Sequence, residues 1–181
     1  MGALHVHEFM TLDGVIDAPM WTFEYGFDPK QGETLAAVTE WCRGILLGRT
    51  TYEGFAESWP TRTVEDDPGA PFFNDTTKYV VSGTLTNPTW RTPRSSARTT
   101  RGDTQAEGRR GRRLYTSGSA MLVRAMLEDG LVDELHLWMY PLTRGSGPRL
   151  YPEGATPGKL SLAACESYGN GVVYLNYRPE T

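Results

Sequence analysis

Two short polar turns carry the residues with the clearest chemical potential. The first, Gly48-Arg49-Thr50-Thr51, follows the apolar run ILL, and the second, Ser117-Gly118-Ser119-Ala120, follows LYT. A helical pattern begins directly after each turn. The first amides of a helix have no partners within the helix and carry the positive end of its dipole. A phosphate binds readily at such a position, so each turn predicts an anion site.

The first turn also indicates where its helix begins. Thr50 and Glu53 have the spacing of a capping box, in which two side chains satisfy free amides at the start of a helix. We therefore predict a strand at 45–47 that passes into a helix across Gly48. A glycine between a strand and a helix is also common turn chemistry, so a purely structural role is the alternative for each turn taken alone.

The two turns together predict a larger ligand than either turn alone. If their strands are parallel neighbours, both helix N-termini open at the carboxyl edge of the sheet, where open α/β sheets bind ligands. Two adjacent anion sites suit a pyrophosphate, and Gly118 would let the backbone approach its oxygens. Arg49 and Ser82, at the ends of neighbouring strands, could hold a third phosphate. NADPH has this combination of a diphosphate and one further phosphate.

The rest of the sequence predicts the elements that position these turns. In chain order they are a strand at 3–10 with a turn at 11–14, a helix from Thr34 that Gly44 stops, strands at 45–47, 78–82 and 114–116, a helix closed by Gly130, a strand at 134–140 and a hairpin turn at 169–171. Alternating strands and helices that end in an antiparallel hairpin predict an α/β fold, with a mostly parallel central sheet and helices on both faces. The length of 181 residues fits a single domain.

The charge of the chain is unevenly distributed. The net charge is −4, but residues 91–113 contain eight arginines and carry +6, which leaves −10 on the rest. This segment is almost without apolar residues, so neither a strand nor a helix face is predicted there. Three interpretations stay open: a solvated loop, a basic arm that attracts NADPH or nucleic acid, and a shifted reading frame in the source gene. The lack of aromatic residues for base stacking argues against nucleic acid.

The composition predicts a soluble, cytoplasmic protein. No apolar run approaches the roughly 20 residues of a membrane helix, and the N-terminal sequence MGALHVHEFM lacks the features of an export signal. Cys42 and Cys165 do not form a disulfide framework. The sequence contains neither a GxSxG nor an HExxH motif, so no hydrolase is predicted.

The chain has three histidines, His5, His7 and His136. His5 and His7 would share one face of the first strand, a spacing that can chelate a metal, but the sequence supplies no third ligand. We therefore interpret them, and His136 as well, as packed or surface histidines, and no metal is predicted.

Four motifs, GRTTYE, YVVSGTL, SGSA and VDELHLWMYPL, occur in the order found in the dihydrofolate reductase-like superfamily. With TLDG and GSGPRLYPEG, they make the chain most similar to the RibD C-terminal branch, which is the reductase domain of riboflavin biosynthesis and its stand-alone relatives. The resemblance covers nearly the whole chain except residues 91–113. It implies an NADPH-dependent reductase of a small heterocyclic or carbonyl compound. It also implies a homodimer, in which the strand ELHLWMY makes a contact unless it lies in the core.

The resemblance also implies roles for individual residues in and near the two turns. The implied cofactor-binding residues are Gly48, Arg49, Thr50, Thr51, Ser82, Gly83, Gly118, Ser119 and Ala120. In this set Arg49 and Ser82 would contact the 2′-phosphate of NADPH. Thr50 and Thr51 would contact one phosphate of the diphosphate, and residues 118–120 would contact the other.

The substrate pocket would lie near the TLDG turn. Asp13, with Thr11 beside it, could orient a substrate hydroxyl or relay a proton, so Asp13 is the candidate catalytic residue. A structural role in the turn is the alternative. Trp21 and Phe23 begin a run of aromatic residues at every second position, which would either line a pocket for a planar substrate or pack the loop onto the core.

The chain departs from true dihydrofolate reductases in two respects. Those enzymes have two consecutive glycines where this chain has Gly118-Ser119, and they have an acidic residue in the early loop or helix that protonates the pterin. Asp28 and Glu33 lie near that region, but neither falls on the motif. Folate reduction is therefore not predicted. Because no proton donor stands out, a non-catalytic module that binds NADPH or another nucleotide is the alternative function.

Overall fold

The protein is described by a computed structural model that covers residues 3–16, 19–86, 88, 90, 93–96, 113–155 and 158–180. Its strands are β1 (Leu4–Thr11), β2 (Cys42–Gly48), β3 (Lys78–Val81), β4 (Pro93–Ser96), β5 (Arg113–Ser117), β6 (Glu134–Tyr140), β7 (Leu160–Ser167) and β8 (Val173–Pro179). They form one sheet in the order β4-β3-β2-β5-β1-β6-β8-β7. Neighbours from β4 to β6 are parallel, and β8 is antiparallel to both β6 and β7. This confirms the predicted mostly parallel sheet with its antiparallel hairpin.

Helices cover both faces of the sheet. The helices of the described residues are α1 (Pro29–Glu40), α2 (Arg49–Ser58), α3 (Ala70–Asp75), α4 (Ala120–Glu128) and a short 3₁₀ helix (Pro19–Tyr25). Because side chains alternate along a strand, Leu46 packs with Val123 of α4 on one face, whereas Ile45 and Leu47 pack with Tyr52 of α2 on the other. Among the described residues, no helix combines the length and apolar character needed to cross a bilayer.

Helix α1 begins at Pro29 rather than at Thr34, so its predicted start is wrong. The Asp28 carboxylate accepts a hydrogen bond of 2.8 Å from the Lys30 amide and caps the helix. Proline is favoured in the first turn because it has no N–H to leave unpaired there. The apolar spacing by which we located this helix starts only at Leu35, nearly two turns after Pro29, so it could not indicate the cap.

The sequence predicted that Gly44 ends α1, but Gly44 lies within β2. The helix ends before it, and the register between β2 and β5 shifts between Cys42 and Gly44. A Cβ atom at Gly44 would lie only 2.7 Å from side-chain atoms of Leu114 and of Tyr79. The glycine is therefore explained by close packing between neighbouring strands.

The prediction that residues 91–113 contain no strand is wrong for Pro93–Ser96, which forms β4. This edge strand pairs in parallel with β3, and proline is tolerated at the start of an edge strand. Backbone pairing needs no apolar period, so the side-chain pattern could not reveal it. Residues 91, 92 and 97–112 lie outside the described residues, and so do the three interpretations made for them.

The apolar strand β6 occupies a central position in the sheet. It lies between β1 and β8, and Leu135, Leu137 and Trp138 are buried. Of the two explanations offered for its apolar sequence, burial in the core is the one that the structure supports.

Candidate functional site

The two predicted turns lie side by side at the carboxyl edge of the sheet, because β2 and β5 are parallel neighbours. The Gly48 amide donates a hydrogen bond of 2.9 Å to the Ser119 hydroxyl. That hydroxyl donates in turn to the Thr51 hydroxyl, with 2.8 Å between the two oxygens. One serine side chain thus joins the starts of α2 and α4, and both helix N-termini face the same edge.

The second turn has an unusual backbone. Gly118 and Ser119 both have left-handed conformations, with φ of 64° and 63°, and Ser119 is the one non-glycine residue with positive φ in the part of the chain that the structure describes. A serine in this conformation is strained, and its hydrogen bonds to the first turn offset that strain. A Cβ atom at Gly118 would lie 3.3 Å from the Thr51 side chain. The glycine therefore keeps the two turns in close contact.

The first turn differs from its prediction in one respect. Helix α2 begins at Arg49, its N-cap is Gly48, and that cap makes no side-chain hydrogen bond. The capping box of Thr50 and Glu53 is therefore wrong, because Thr50 already lies inside the helix. Glu53 instead forms an ion pair of 3.0 Å with Arg49, one helical turn before it. Without a capping side chain, the amides of the first turn are left for another acceptor.

Arg49 and Ser82 lie at the ends of neighbouring strands, as the sequence suggested. Gly48 pairs in register with Val81, so the residue that follows each of them lies at the same edge of the sheet. The Ser82 hydroxyl oxygen accepts hydrogen bonds from the amides of Thr84 and Leu85 at 3.1 and 2.9 Å. These bonds fix the turn and leave the hydroxyl hydrogen for donation. The Arg49 side chain is about half exposed, and Gly83 is exposed.

His7 lies next to the second turn. Its Nδ1 atom is 3.0 Å from the Ser117 hydroxyl, and its ring packs against Phe9 and Trp138. Burial lowers the pKa of His7 to about 3, with the nearby His136 as the second cause. His7 is therefore a neutral, packed histidine that supports the turn from within the sheet.

Glu8 is a buried acid that the sequence interpretation missed. Its side chain is 2% exposed and Oε1 has no hydrogen-bond partner among the described residues. Burial raises the pKa of Glu8 well above its usual value, although a hydrogen bond from the Gly118 amide lowers it in part. A signal for Glu8 was present, because alternation along β1 puts it on the same face as the core residues Leu4 and Val6.

Several hydrogen-bond donors fix the position of the Asp13 carboxylate. The Thr11 hydroxyl donates to Oδ1, the Arg144 amide donates to the same oxygen at 3.2 Å, and the Gly145 amide donates to Oδ2 at 2.7 Å. The hydrogen bond from Thr11 is the main reason why the pKa of Asp13 falls to about 2. Asp13 is therefore an ionised acceptor that ties the TLDG turn to the loop around residue 145.

Trp21 and Phe23 do not form one wall. They lie in the 3₁₀ helix, where side chains repeat about every third residue and not every second. Trp21 is buried and packs edge-on against Tyr140 with 5.1 Å between ring centroids. Phe23 is 67% exposed. The structure thus separates the two residues that we had grouped as lining one pocket.

The chain is similar to known proteins in part of its sequence and in its whole fold. Residues 104–174, less than half of the chain, match the family model of the RibD C-terminal domain. A riboflavin biosynthesis protein from Shewanella sp. PV-4 has a similar structure, with a TM-score of 0.77 at 18% identity over 99% of both chains. A pyrimidine reductase-like protein from Corynebacterium diphtheriae has a TM-score of 0.67 at 14% identity over 99% of this chain and 92% of its own. No curated protein matches in sequence.

The fold extends to enzymes outside the RibD branch. Dihydrofolate reductase from Enterococcus faecalis, in a complex with NADP(H), has a TM-score of 0.63 at 14% identity over 99% of this chain and 98% of its own. The chain therefore has the dihydrofolate reductase-like fold over its whole length. Within that class, the resemblance to the RibD C-terminal domain that the motifs indicated is confirmed by the match over residues 104–174.

Proposed function

We propose that the protein is an NADPH-dependent reductase that transfers hydride to a small heterocyclic or carbonyl substrate, like the pyrimidine reductases of riboflavin biosynthesis. The observation that carries this proposal is the contact between two helix N-termini through Ser119, at the edge where open α/β sheets bind ligands. The Enterococcus enzyme of the same fold, which was solved with NADP(H), supports the choice of cofactor.

The residues of the two turns fit a diphosphate. The amides at the start of α2, around Thr50 and Thr51, would bind one phosphate, and those of residues 118–120 at the start of α4 would bind the other. Gly118 lets the two turns lie close together, because a Cβ atom there would lie 3.3 Å from the Thr51 side chain. The Ser119 hydroxyl is already engaged with the first turn, so its role would be to hold the geometry while its amide contacts the phosphate.

Arg49 and Ser82 would select NADPH over NADH. Their backbones lie at the ends of adjacent strands, one residue beyond the pair Gly48 and Val81. A guanidinium and a hydroxyl at this position would bind the 2′-phosphate, with Gly83 allowing close approach. The ion pair with Glu53 is exposed, so rotating Arg49 away from Glu53 toward a phosphate costs little.

The cofactor would supply the hydride, and the chain would supply position and electrostatics. Thr11 and Asp13 would shape the substrate side of the site. Because Asp13 is ionised and bonded to the loop around residue 145, we assign it a positioning role: it would hold the mouth of the pocket and accept a hydrogen bond from a substrate hydroxyl. The buried Trp21 would pack beneath the substrate pocket against the core, and the exposed Phe23 would be free to cover a planar substrate.

A fluorescence titration tests this proposal. We expect NADPH to quench tryptophan emission with micromolar affinity, and Arg49→Ala to weaken NADPH binding by about tenfold to a hundredfold, the value of a charge-assisted hydrogen bond. NADH should bind more weakly and respond little to Arg49→Ala. Arg43→Ala is the matched control, because Arg43 is an exposed arginine at the start of β2, whereas Arg49 follows the end of that strand.

The outcomes separate the proposal from its alternative. Equal NADPH affinity in Arg49→Ala and Arg43→Ala, or no NADPH binding at all, would refute the cofactor site. Binding as expected, but without NADPH oxidation in the presence of any heterocyclic or carbonyl candidate, would favour the non-catalytic nucleotide-binding module. Oxidation of NADPH that depends on one of these compounds establishes the reductase.

A further inference from the structure

Three side chains of metal-binding type converge near the amino-terminal ends of β1 and β6, at the opposite end of β1 from the TLDG turn. They are His5, Glu134 and His136, and in the register of the two strands His5 pairs with Glu134 while His7 pairs with His136. Partners in register share one face of the sheet, and so do residues two apart along a strand. The topology therefore directs all three side chains to one point.

The distances in this cluster match those around one bound cation. His5 Nδ1 is 3.0 Å from His136 Nε2, and Glu134 Oε2 is 3.7 Å from the first atom and 3.4 Å from the second. In a tetrahedral zinc site with ligands at about 2.0–2.1 Å, neighbouring ligand atoms are separated by about 3.3–3.4 Å. The mean of the three observed distances falls in that range, so the three atoms are spaced much like the ligands of one ion.

The surrounding residues hold the ligands in a binding geometry. The Tyr174 hydroxyl lies 2.7 Å from His136 Nδ1, which leaves Nε2 to face the centre of the cluster. Asn176 donates to Glu134 Oε2 at 3.1 Å, and Arg178 donates to Oε1 at 3.2 and 2.9 Å. Such partners around the ligands orient them and raise metal affinity.

Both imidazole rings of the cluster are almost fully buried. A single N–H can join the two rings but leaves the carboxylate 3.4–3.7 Å away. A cation satisfies all three atoms at once, and the Glu134 side chain, 20% exposed, leaves a path from solvent.

We propose that His5, Glu134 and His136 form a binding site for one divalent transition-metal cation of the Zn²⁺ type. Two imidazoles and one carboxylate are donors that Zn²⁺ accepts, with one further position left for water. The ion links β1 to β6. It lies about 20 Å along β1 from the TLDG turn, at about 3.3 Å per residue. The second turn is nearer, because Ser117 pairs with His7, two residues after His5. None of the three ligands, however, is among the residues proposed to bind the cofactor.

The test uses the full, untagged chain after removal of metals by chelation. We expect one Co²⁺ per chain to bind with micromolar or tighter affinity, to give visible absorption without thiolate charge-transfer bands, and to be displaced by Zn²⁺ but not by Mg²⁺. Glu134→Gln, which keeps the shape of the side chain, and His136→Gln should each weaken binding at least about tenfold. Tyr174→Phe should weaken it about tenfold through His136 alone.

Two control variants decide the assignment. His7→Gln removes the histidine outside the cluster and Cys165→Ser removes the exposed thiol, and both should bind Co²⁺ like the wild type. Circular dichroism on each variant identifies any that fails to fold, and Glu134→Gln then decides in place of His136→Gln. The absence of saturable Co²⁺ and Zn²⁺ binding at micromolar concentrations overturns the proposal. So does binding that survives Glu134→Gln or disappears in folded His7→Gln or Cys165→Ser.

Discussion

The variant Glu8→Gln would reveal whether the acid beneath the second turn keeps its proton in the folded protein. The side chain is buried, and Oε1 has no partner among the described residues, so ionisation in the fold is unfavourable. Glutamine has nearly the same shape, can still accept the hydrogen bond from the Gly118 amide, and does not ionise. The two proteins should therefore differ in how their stability depends on pH and not in their fold.

The size of the effect follows from proton linkage. The unfolded chain releases the Glu8 proton near its usual pKa of 4.5, whereas the folded chain retains it to a higher pH. The stability contributed by Glu8 is therefore fully present below pH 4.5 and is lost as the pH rises through the folded pKa. Within that window, the free energy of unfolding of the wild type should fall, relative to Glu8→Gln, by about 1.4 kcal/mol per pH unit.

Urea unfolding at a series of pH values, from about pH 4 to about pH 8, measures this difference. Subtracting the two curves removes contributions shared by all other titrating groups, including the buried histidines. The pH at which the difference stops growing gives the folded pKa of Glu8. Glu57→Gln, at an exposed position on α2, is the matched control and should run parallel to the wild type. Parallel curves for Glu8→Gln as well would refute the reasoning, because they would mean that Glu8 ionises equally in both states.

Two further changes test the elements that position the site. Gly44→Ala should lower the free energy of unfolding by about 1–3 kcal/mol, because the new Cβ would overlap Leu114 and Tyr79. Thermal melting measures this effect, with Gly54→Ala as a control at an uncrowded glycine. An unchanged melting temperature in Gly44→Ala would contradict the packing argument. Asp13→Asn should speed amide exchange in residues 144–149 while leaving β6 protected, because an amide cannot accept on both sides as the carboxylate does; protection equal to the wild type would contradict the role of Asp13 as the anchor of that loop.

The central strands were predictable from the sequence because their side chains report burial. β1 and β6 were found within one residue of their observed limits, since alternation and apolar runs reflect packing on the sheet. β4 and the start of α1 were missed for the opposite reason. Backbone pairing holds β4, and the Asp28 cap sets the start of α1, so neither depends on a periodic apolar face.

Some residues of the candidate site were also predictable from the sequence, and others were not. Gly48 and Gly118 were recognisable because a turn from strand to helix has local sequence chemistry. The role of Ser119 in joining the two turns was not recognisable from the sequence. It depends on the pairing of β2 with β5, two strands that are far apart in sequence. The convergence of His5 with Glu134 and His136 depends likewise on the register of β1 with β6.

Strand β1 borders both of the proposed sites. It lies between β5, which leads into the second turn, and β6, which carries Glu134 and His136. All three strands are parallel, and the proposed metal ligands lie near the amino ends of β1 and β6, whereas the second turn follows the carboxyl end of β5. The residues assigned to the proposed cofactor site and those assigned to the proposed metal site are therefore different. Loss of metal binding in Glu134→Gln and loss of NADPH binding in Arg49→Ala are thus separate outcomes, and either proposal can fail while the other stands.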